Sequence, residues 1–394
     1  MDIQSPGSLS INDILKTSAE RRASDVHIKV GSPPVLRIDG KLTPMLEQKR
    51  LTQEDVVKLA FSMMNQAQRE KFKAKNEADF AYGVPGLGRF RVNVFMQRGT
   101  VGTVMRAIPT KIASIEELTL PPVISKLAQE PRGLILVTGT TGSGKSTTLA
   151  SMIDYINSTR TEHIMTIEDP IEFLHRDKKS LVNQREIGMD TESFALALRS
   201  ALRQDPDIIL VGEMRDFDTI STALTAAETG HLVLSTLHTV DAVETINRII
   251  SVFPPYQQKQ VRLQLSAVLK GVMSQRLIPR ADGKGRVPAC EILVVTGTIR
   301  ECIVDPDKTR NIHDLIASGG SQYGMQTFDQ SLYGLYKAGL VTYEEALRRS
   351  SNPDDFALKI RGITSTSDET WDSGTSGFSE KPKDSGFKID RLGD

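Results

Sequence analysis

The stretch Leu134-Ile-Leu-Val-Thr-Gly-Thr-Thr-Gly-Ser-Gly-Lys-Ser-Thr-Thr148 constrains this chain more than any other. An apolar run from Leu134 to Val137 reads as a buried parallel strand. It breaks into Gly139-Thr-Thr-Gly-Ser-Gly144-Lys145-Ser146, and the helical spacing of Leu149, Met152, Ile153 and Ile156 follows. Strand, G-x-x-x-x-G-K-S and helix in that order make a phosphate-binding loop. The glycines let successive backbone N–H groups turn inward toward phosphate oxygens, and the helix adds its positive N-terminal end. Gly139, Thr140, Thr141, Gly142, Ser143, Gly144, Lys145, Ser146 and Thr147 are therefore the candidate nucleotide-binding residues. Lys145 is placed to neutralise the β- and γ-phosphates of ATP, and Ser146 to hold Mg²⁺.

A second layer of chemistry surrounds the loop. Asp207-Ile-Ile-Leu-Val-Gly-Glu213 is an apolar strand that ends in a carboxylate, the place from which a Walker-B group reaches a metal ion or the attacking water. Ile164-Met-Thr-Ile-Glu168-Asp169 likewise delivers acids to the carboxyl edge of a sheet, where ligands bind in open α/β folds. Glu168 is the candidate general base; Asp169 serves equally well as a turn cap. In Gly230-His231-Leu-Val-Leu-Ser235-Thr236-Leu-His238, two histidines bracket a third strand. With the Ser-Thr pair they read as a γ-phosphate sensor, His238 ahead of His231. Arg89, Arg91 and Arg106 lie on the polar face of an N-terminal sheet. They are either solvated surface or arginines that reach the nucleotide of a neighbouring subunit.

Composition narrows the partners. Lysine plus arginine equals aspartate plus glutamate, at 49 each, which gives no electrostatic case for nucleic acid. Only Cys290 and Cys302 occur, so no disulfide framework or four-cysteine zinc site is available. No apolar run reaches the roughly 18 residues needed to span a bilayer, so the expectation is a cytosolic protein able to dock on a membrane. Residues 8–108 read as a small α+β domain, with helices capped by Ser10 and by Thr52 with Asp55, and a hairpin turn at Asp39-Gly40. Prolines punctuate a linker or hinge over 109–122. A doubly wound α/β domain follows over 123–363, reading as mostly helical from Pro254, with helices expected at Val261–Gln275 and Gln330–Lys337. Residues 364–394 carry almost no apolar residues and read as a disordered tail.

Four boxes together resemble the type II/IV secretion system ATPase superfamily: GTTGSGKSTTLASMIDYIN, HIMTIEDPIEF, LRSALRQDPDIILVGEMRD and TAAETGHLVLSTLHT. They match that superfamily's Walker A, Asp box, Walker B and His box in order. The segments SDVHIKVGSPPVLRIDGKL and GRFRVNVFMQRG resemble its PAS-like domain, and GMQTFDQSLYGLYKAGLVTYEEAL the pilus-retraction (PilT/PilU) branch. The resemblance implies a RecA-like P-loop ATPase domain behind a PAS-like domain, assembled as a homohexameric motor for pilus retraction and twitching motility. It implies Glu168 as base, Glu213 as Walker-B glutamate and metal ligand, His231 and His238 as the His box, and Arg91 and Arg106 acting across subunits. An inner-membrane platform protein and a paralogous retraction ATPase are the implied partners. Competing expectations are an accessory PilU-like motor, a pilus-extension or type II secretion motor, and a RecA-like nucleic-acid motor. Within Thr298–Asp305 only Ile299, Arg300 and Ile303 match the A-I-R-N-L-I-R-E stretch of the retraction branch.

Overall fold

A computed structural model describes residues 10–109 and 111–361. The chain divides into two compact units, one running to Lys111 and taking in Glu172–Leu174, the other comprising Ile112–Ile171 and the chain from His175 onward. The 109–122 stretch expected as a linker is therefore split. From Ile112 it belongs to the second unit, with Ile115 and Leu120 buried in that unit's core. The tail expectation for 364–394 lies outside the described residues.

In the first unit, helix α1 (Ile11–Glu20) starts at Ser10, whose hydroxyl accepts from the Asn12 N–H. Strands β1 (Asp25–Lys29), β2 (Val35–Ile38) and β3 (Lys41–Pro44) follow, with Asp39 and Gly40 both at positive φ in the β2–β3 turn. Helix α2 (Gln53–Ser62) opens with the reciprocal Thr52–Asp55 capping box, and α3 (Gln66–Lys75) with a second box that the sequence reading missed. Strands β4 (Glu77–Val84), β5 (Gly88–Gln97) and β6 (Thr100–Ala107) complete an antiparallel sheet of order β3-β2-β1-β6-β5-β4. Strict alternation gives the sheet two chemical faces. Val26, Ile28, Phe90, Val92 and Val94 pack with Ile14, Leu15, Val56 and Phe72 of the helices. Asp25, Arg91 and Arg106 stand on the opposite face, at paired register positions.

The second unit begins with α4 (Val123–Ala128) and β7 (Gly133–Thr138), every residue of β7 being buried. Next come α5 (Lys145–Thr159), β8 (His163–Glu168), β9 (Leu181–Glu186), α6 (Phe194–Ala201), β10 (Ile208–Val211), α7 (Phe217–Glu228), β11 (Leu232–Leu237), α8 (Ala242–Ser251) and α9 (Pro255–Val268). Strands β12 (Leu269–Pro279) and β13 (Arg286–Val294) then form a hairpin. Six α-helices close the described chain: α10 (Gly297–Val304), α11 (Ile312–Ser318), α12 (Gly320–Tyr323), α13 (Phe328–Lys337), α14 (Tyr343–Arg349) and α15 (Pro353–Ile360). The sheet order is β13-β12-β7-β11-β10-β8-β9, parallel from β12 to β9 with β13 antiparallel at the edge. Burial on both faces explains the continuous apolar strands. Leu134 and Leu136 face α6 to α9, whereas Ile135 and Val137 face α4 and α5.

One expectation fails. The segment Val261–Gln275, read as one helix, stops being helical at Val268 and continues as β12. Apolar residues at 261, 265, 268, 269, 272 and 273 satisfy a helical period, but a short buried strand shows the same run. Pairing on one side with β7 and on the other with β13 decides the matter.

The loop that leads from β8 to β9 is stitched to α5 by one fully buried amide. Asn157 Nδ2 donates to the Arg176 carbonyl (2.7 Å), and its Oδ1 accepts from the Lys178 (3.1 Å) and Ser180 (3.3 Å) N–H groups. Asn157→Ala strands these backbone groups and is expected to cost about 2–3 kcal/mol, read as a lower urea midpoint with unchanged slope.

Candidate nucleotide-binding site

The parallel strands end at one level, and chemistry gathers at their carboxyl edge. Past Thr138 the chain turns through Gly139 (φ 141°) and reaches α5 through Gly144 (φ 93°), conformations that residues with a Cβ rarely adopt. Lys145, 9% exposed, opens α5, and its Nζ donates to the carbonyl oxygens of Gly139 (2.8 Å) and Thr140 (3.0 Å). Burial pulls the Lys145 pKa below its ordinary value, and the Glu213 carboxylate opposes that shift. The Ser143 hydroxyl is buried without a hydrogen-bond partner among the described residues, and Ser146 is exposed on the first turn of α5. A buried lysine, an unpaired hydroxyl and a helix N-terminus are what an oligophosphate would satisfy.

The acidic and histidine residues come from the neighbouring strands. Glu213 follows β10, and its Oε2 lies 2.7 Å from Arg215 Nη2 and 3.7 Å from His238 Nε2, at the end of β11. Glu168 ends β8, with Oε1 accepting from Thr166 Oγ1 (2.6 Å) and Gln184 Nε2 (3.1 Å). Gly212 N–H donates to the Ile167 carbonyl, which sets the Glu168 and Glu213 backbones side by side. The hydroxyls of Ser235 and Thr236, expected at the phosphates, donate instead to the carbonyls of Val211 and Gly212 across the ladder.

His231 does not join this group. In the β7–β11 register Leu232 lies opposite Gly133, so His231 precedes the strand at the amino edge of the sheet. Six residues separate it from the carboxyl edge, roughly 20 Å at the rise of an extended strand. Its Nδ1 instead contacts the Ala226 carbonyl (2.9 Å) near the end of α7. Two histidines at the two ends of one strand cannot share one site in a parallel sheet.

Arg91 and Arg106 belong to the first unit, where they line a depression with Asp25, Asp79, Asn93 and Val104. Arg106 Nε is 2.8 Å from Asp25 Oδ1, and Arg37 Nε is 3.7 Å from Asp25 Oδ2. Burial pushes the Asp25 pKa up, but the Ser24 hydroxyl and the Arg106 guanidinium outweigh it and hold the carboxyl below its usual value. Arg106 is thus held by a partner, while its side chain stays 69% exposed.

Residues 4–317 match the family described as Type II/IV secretion system protein. The chain belongs to that family. It is 50% identical over 352 residues to the Type IV pilus retractation ATPase PilT of Pseudomonas aeruginosa, covering 88% of this chain and 100% of that one. It is 42% identical over 355 residues to the Type IV pilus ATPase PilU of the same organism, covering 90% and 92%. The crystal structure of the pilus retraction motor PilT with bound ADP matches with a TM-score of 0.81 at 52% identity, over 88% of this chain and 98% of that one. The second unit is the RecA-like ATPase domain of this family, and the first is its N-terminal domain.

In this secretion ATPase two cavities flank the phosphate loop, of about 550 and 380 Å³. The larger runs from Thr140 and Thr141 to Arg276, Arg348 and Arg349; the smaller has apolar walls from Leu118, Leu120, Leu277 and Pro288 beside Thr147. Gln275, Leu277 and Arg286 border both. The sequence reading assigned none of these three to the site: it placed Gln275 at the end of a helix and took the chain from Pro254 as mostly helical. Asp282-Gly283 between two apolar runs was the available hairpin signal.

Behind the site, buried Glu291 of β13 accepts from the Ala242 N–H (2.8 Å) and so braces the first turn of α8, just after the His238 loop. Burial, with the nearby Asp241 charge, pushes its pKa up to about 7, against the Ala242 hydrogen bond and the charges of His313 and Arg276. The folded chain therefore binds a proton that the unfolded chain releases near pH 4.5. The resulting stabilisation is present below that pH and is lost as pH rises through about 7. Glu291→Gln keeps an acceptor and removes the titration. It is expected to gain about 2.5 kcal/mol over the parent between pH 5 and pH 8.5, measured by urea unfolding at both pH values.

Proposed function

We propose that this chain is a Mg²⁺-dependent ATPase that powers type IV pilus retraction. The observation that carries the proposal is the meeting of the phosphate loop, Glu213, His238 and Glu168 at one sheet edge, in a chain 50% identical to PilT across that protein's whole length. ATP is the substrate. The backbone N–H groups of Gly142–Ser146 and the Lys145 ammonium bind its β- and γ-phosphates, and Thr147 faces the nucleoside side. Glu168 orients and deprotonates the attacking water, its carboxylate held in place by Thr166 and Gln184. His238, paired with Glu213, reports the γ-phosphate.

The Ser146 hydroxyl and Glu213 carboxylate are hard oxygen donors that fit Mg²⁺, an ion usually held by one or two protein groups plus substrate phosphates. Bound there, it would neutralise charge on the transferring phosphoryl group. Arg91 and Arg106 supply further positive charge to the ATP of an adjacent subunit, so the working form is a homohexamer. Hydrolysis changes the angle between the two domains, and the ring turns a platform protein at the cytoplasmic side of the inner membrane. No helix among the described residues is long and apolar enough to cross a membrane.

Glu213→Ala is expected to lower kcat at least about 100-fold while ATP binding is retained, measured by phosphate release and by nucleotide titration. Unchanged turnover would remove the motor reading. In cells, deletion is expected to give hyperpiliated, non-motile bacteria; near-normal motility would assign the accessory role of the PilU type, and loss of surface pili an extension role. Full-rate hydrolysis by a monomer would overturn the roles of Arg91 and Arg106.

A further inference from the structure

Beyond the residues assigned above, one residue touches both ends of the phosphate loop, one end with its backbone and the other with its side chain. In the β7–β12 ladder Ser274 lies opposite Thr138, and the Thr138 hydroxyl donates to Ser274 Oγ (3.0 Å). At this level β7 ends and β12 runs on, so the next residue, Gln275, passes alongside the loop rather than alongside a strand. Three contacts follow. The Gln275 carbonyl oxygen presses on Gly139 and leaves no room there for a Cβ. Its Nε2 presses on Gly144, where a Cβ would stand 2.7 Å away. Its Oε1 accepts from Thr148 Oγ1 at 2.8 Å, and the Thr148 N–H donates to the Gly144 carbonyl (3.0 Å) in the first turn of α5. Gln275 is 3% exposed, and its Nε2 has no acceptor among the described residues.

We propose that Gln275 is a positioning residue for the nucleotide: it clamps Gly139, Gly144 and Thr148 so that the loop's N–H groups are aimed before ATP arrives. The proposal rests on the ATPase reading of the same site. A loop fixed at only one end must give up conformational freedom when it closes on phosphates, and that loss weakens binding. The β12 backbone already holds the Gly139 end; the Gln275 side chain adds the tie at Gly144 and Thr148, so that both ends are held to the central sheet in the folded chain. Glutamine is suited to the task because it offers an acceptor for the Thr148 hydroxyl and a neutral amide NH2 group beside Gly144. Glutamate keeps the acceptor but brings negative charge next to the phosphates and Lys145. Methionine keeps the length and neither hydrogen-bonding function.

The test uses the purified full-length chain and a fluorescent ATP analogue. Gln275→Met is expected to weaken nucleotide binding and raise KM about tenfold, the worth of one hydrogen bond of fixed geometry, with a smaller change in kcat. Gln275→Glu is expected to weaken it further despite its closer shape. Thr148→Val, which leaves β12 untouched, is expected to reproduce the Gln275→Met loss, and the double variant to be no worse than either single one. A residue that only fills the core would lower the nucleotide-free melting temperature and leave affinity and KM alone; that result, or single losses that multiply in the double variant, overturns the proposal. If Gln275→Met does not fold, Thr148→Val alone decides, and unchanged affinity there is equally fatal. A parent protein that binds no nucleotide would overturn the site reading itself, before any variant is compared.

Discussion

A lysine ammonium with little access to water is the constraint that the rest of the second unit answers. Lys145 must stand at the head of α5 to meet a phosphate, yet burial there works against its charge. The chain compensates with two loop carbonyls from Gly139 and Thr140 and with the charge of Glu213. Each of these depends on a strand ending where it does. The carbonyls need the turn after β7, and the carboxylate needs β10 two places away in the sheet. An anion arriving at the loop completes the set, which is why an affinity for phosphate is built into the packing of the domain and not only into its surface.

The same edge shows how parallel pairing converts sequence order into a reaction site. β7, β11, β10 and β8 are neighbours in that spatial order although the chain makes them in the order β7, β8, β10, β11. Helices packed on both faces return the chain to the amino edge after each strand, so every strand delivers its last residue to the same side. Glu168, Glu213 and His238 are far apart in sequence and close in space for that reason. The first unit works differently. Its antiparallel sheet keeps one face for the helices and leaves the other for charge, where Asp25 organises Arg37 and Arg106 while Arg91 stands at the facing position on β5.

Much of this was legible in the residues. The loop from Gly139 to Ser146, the acidic strand ends and the caps at Ser10 and Thr52 are local signals, each decided within a few residues by hydrogen-bonding or backbone chemistry. What was misread required knowing a neighbour. Val261–Gln275 has the spacing of a helix, and only the free edge of β7 and the matching run at Arg286–Val294 draw its second half into the sheet. His231 and His238 look equivalent on paper, and the direction of β11 separates them by the length of the strand.

By itself, then, the amino-acid order determined a glycine turn suited to a phosphate chain and acidic strand ends suited to hydrolysis, since those properties reside in residue types at short spacing. Tertiary structure decided which groups share the site. It removed His231, spent Ser235 and Thr236 on the ladder, and brought Gln275 against the loop from more than a hundred residues away. Strand order and register are set by the burial of whole faces, and a contact that depends on them has no signature in any one segment.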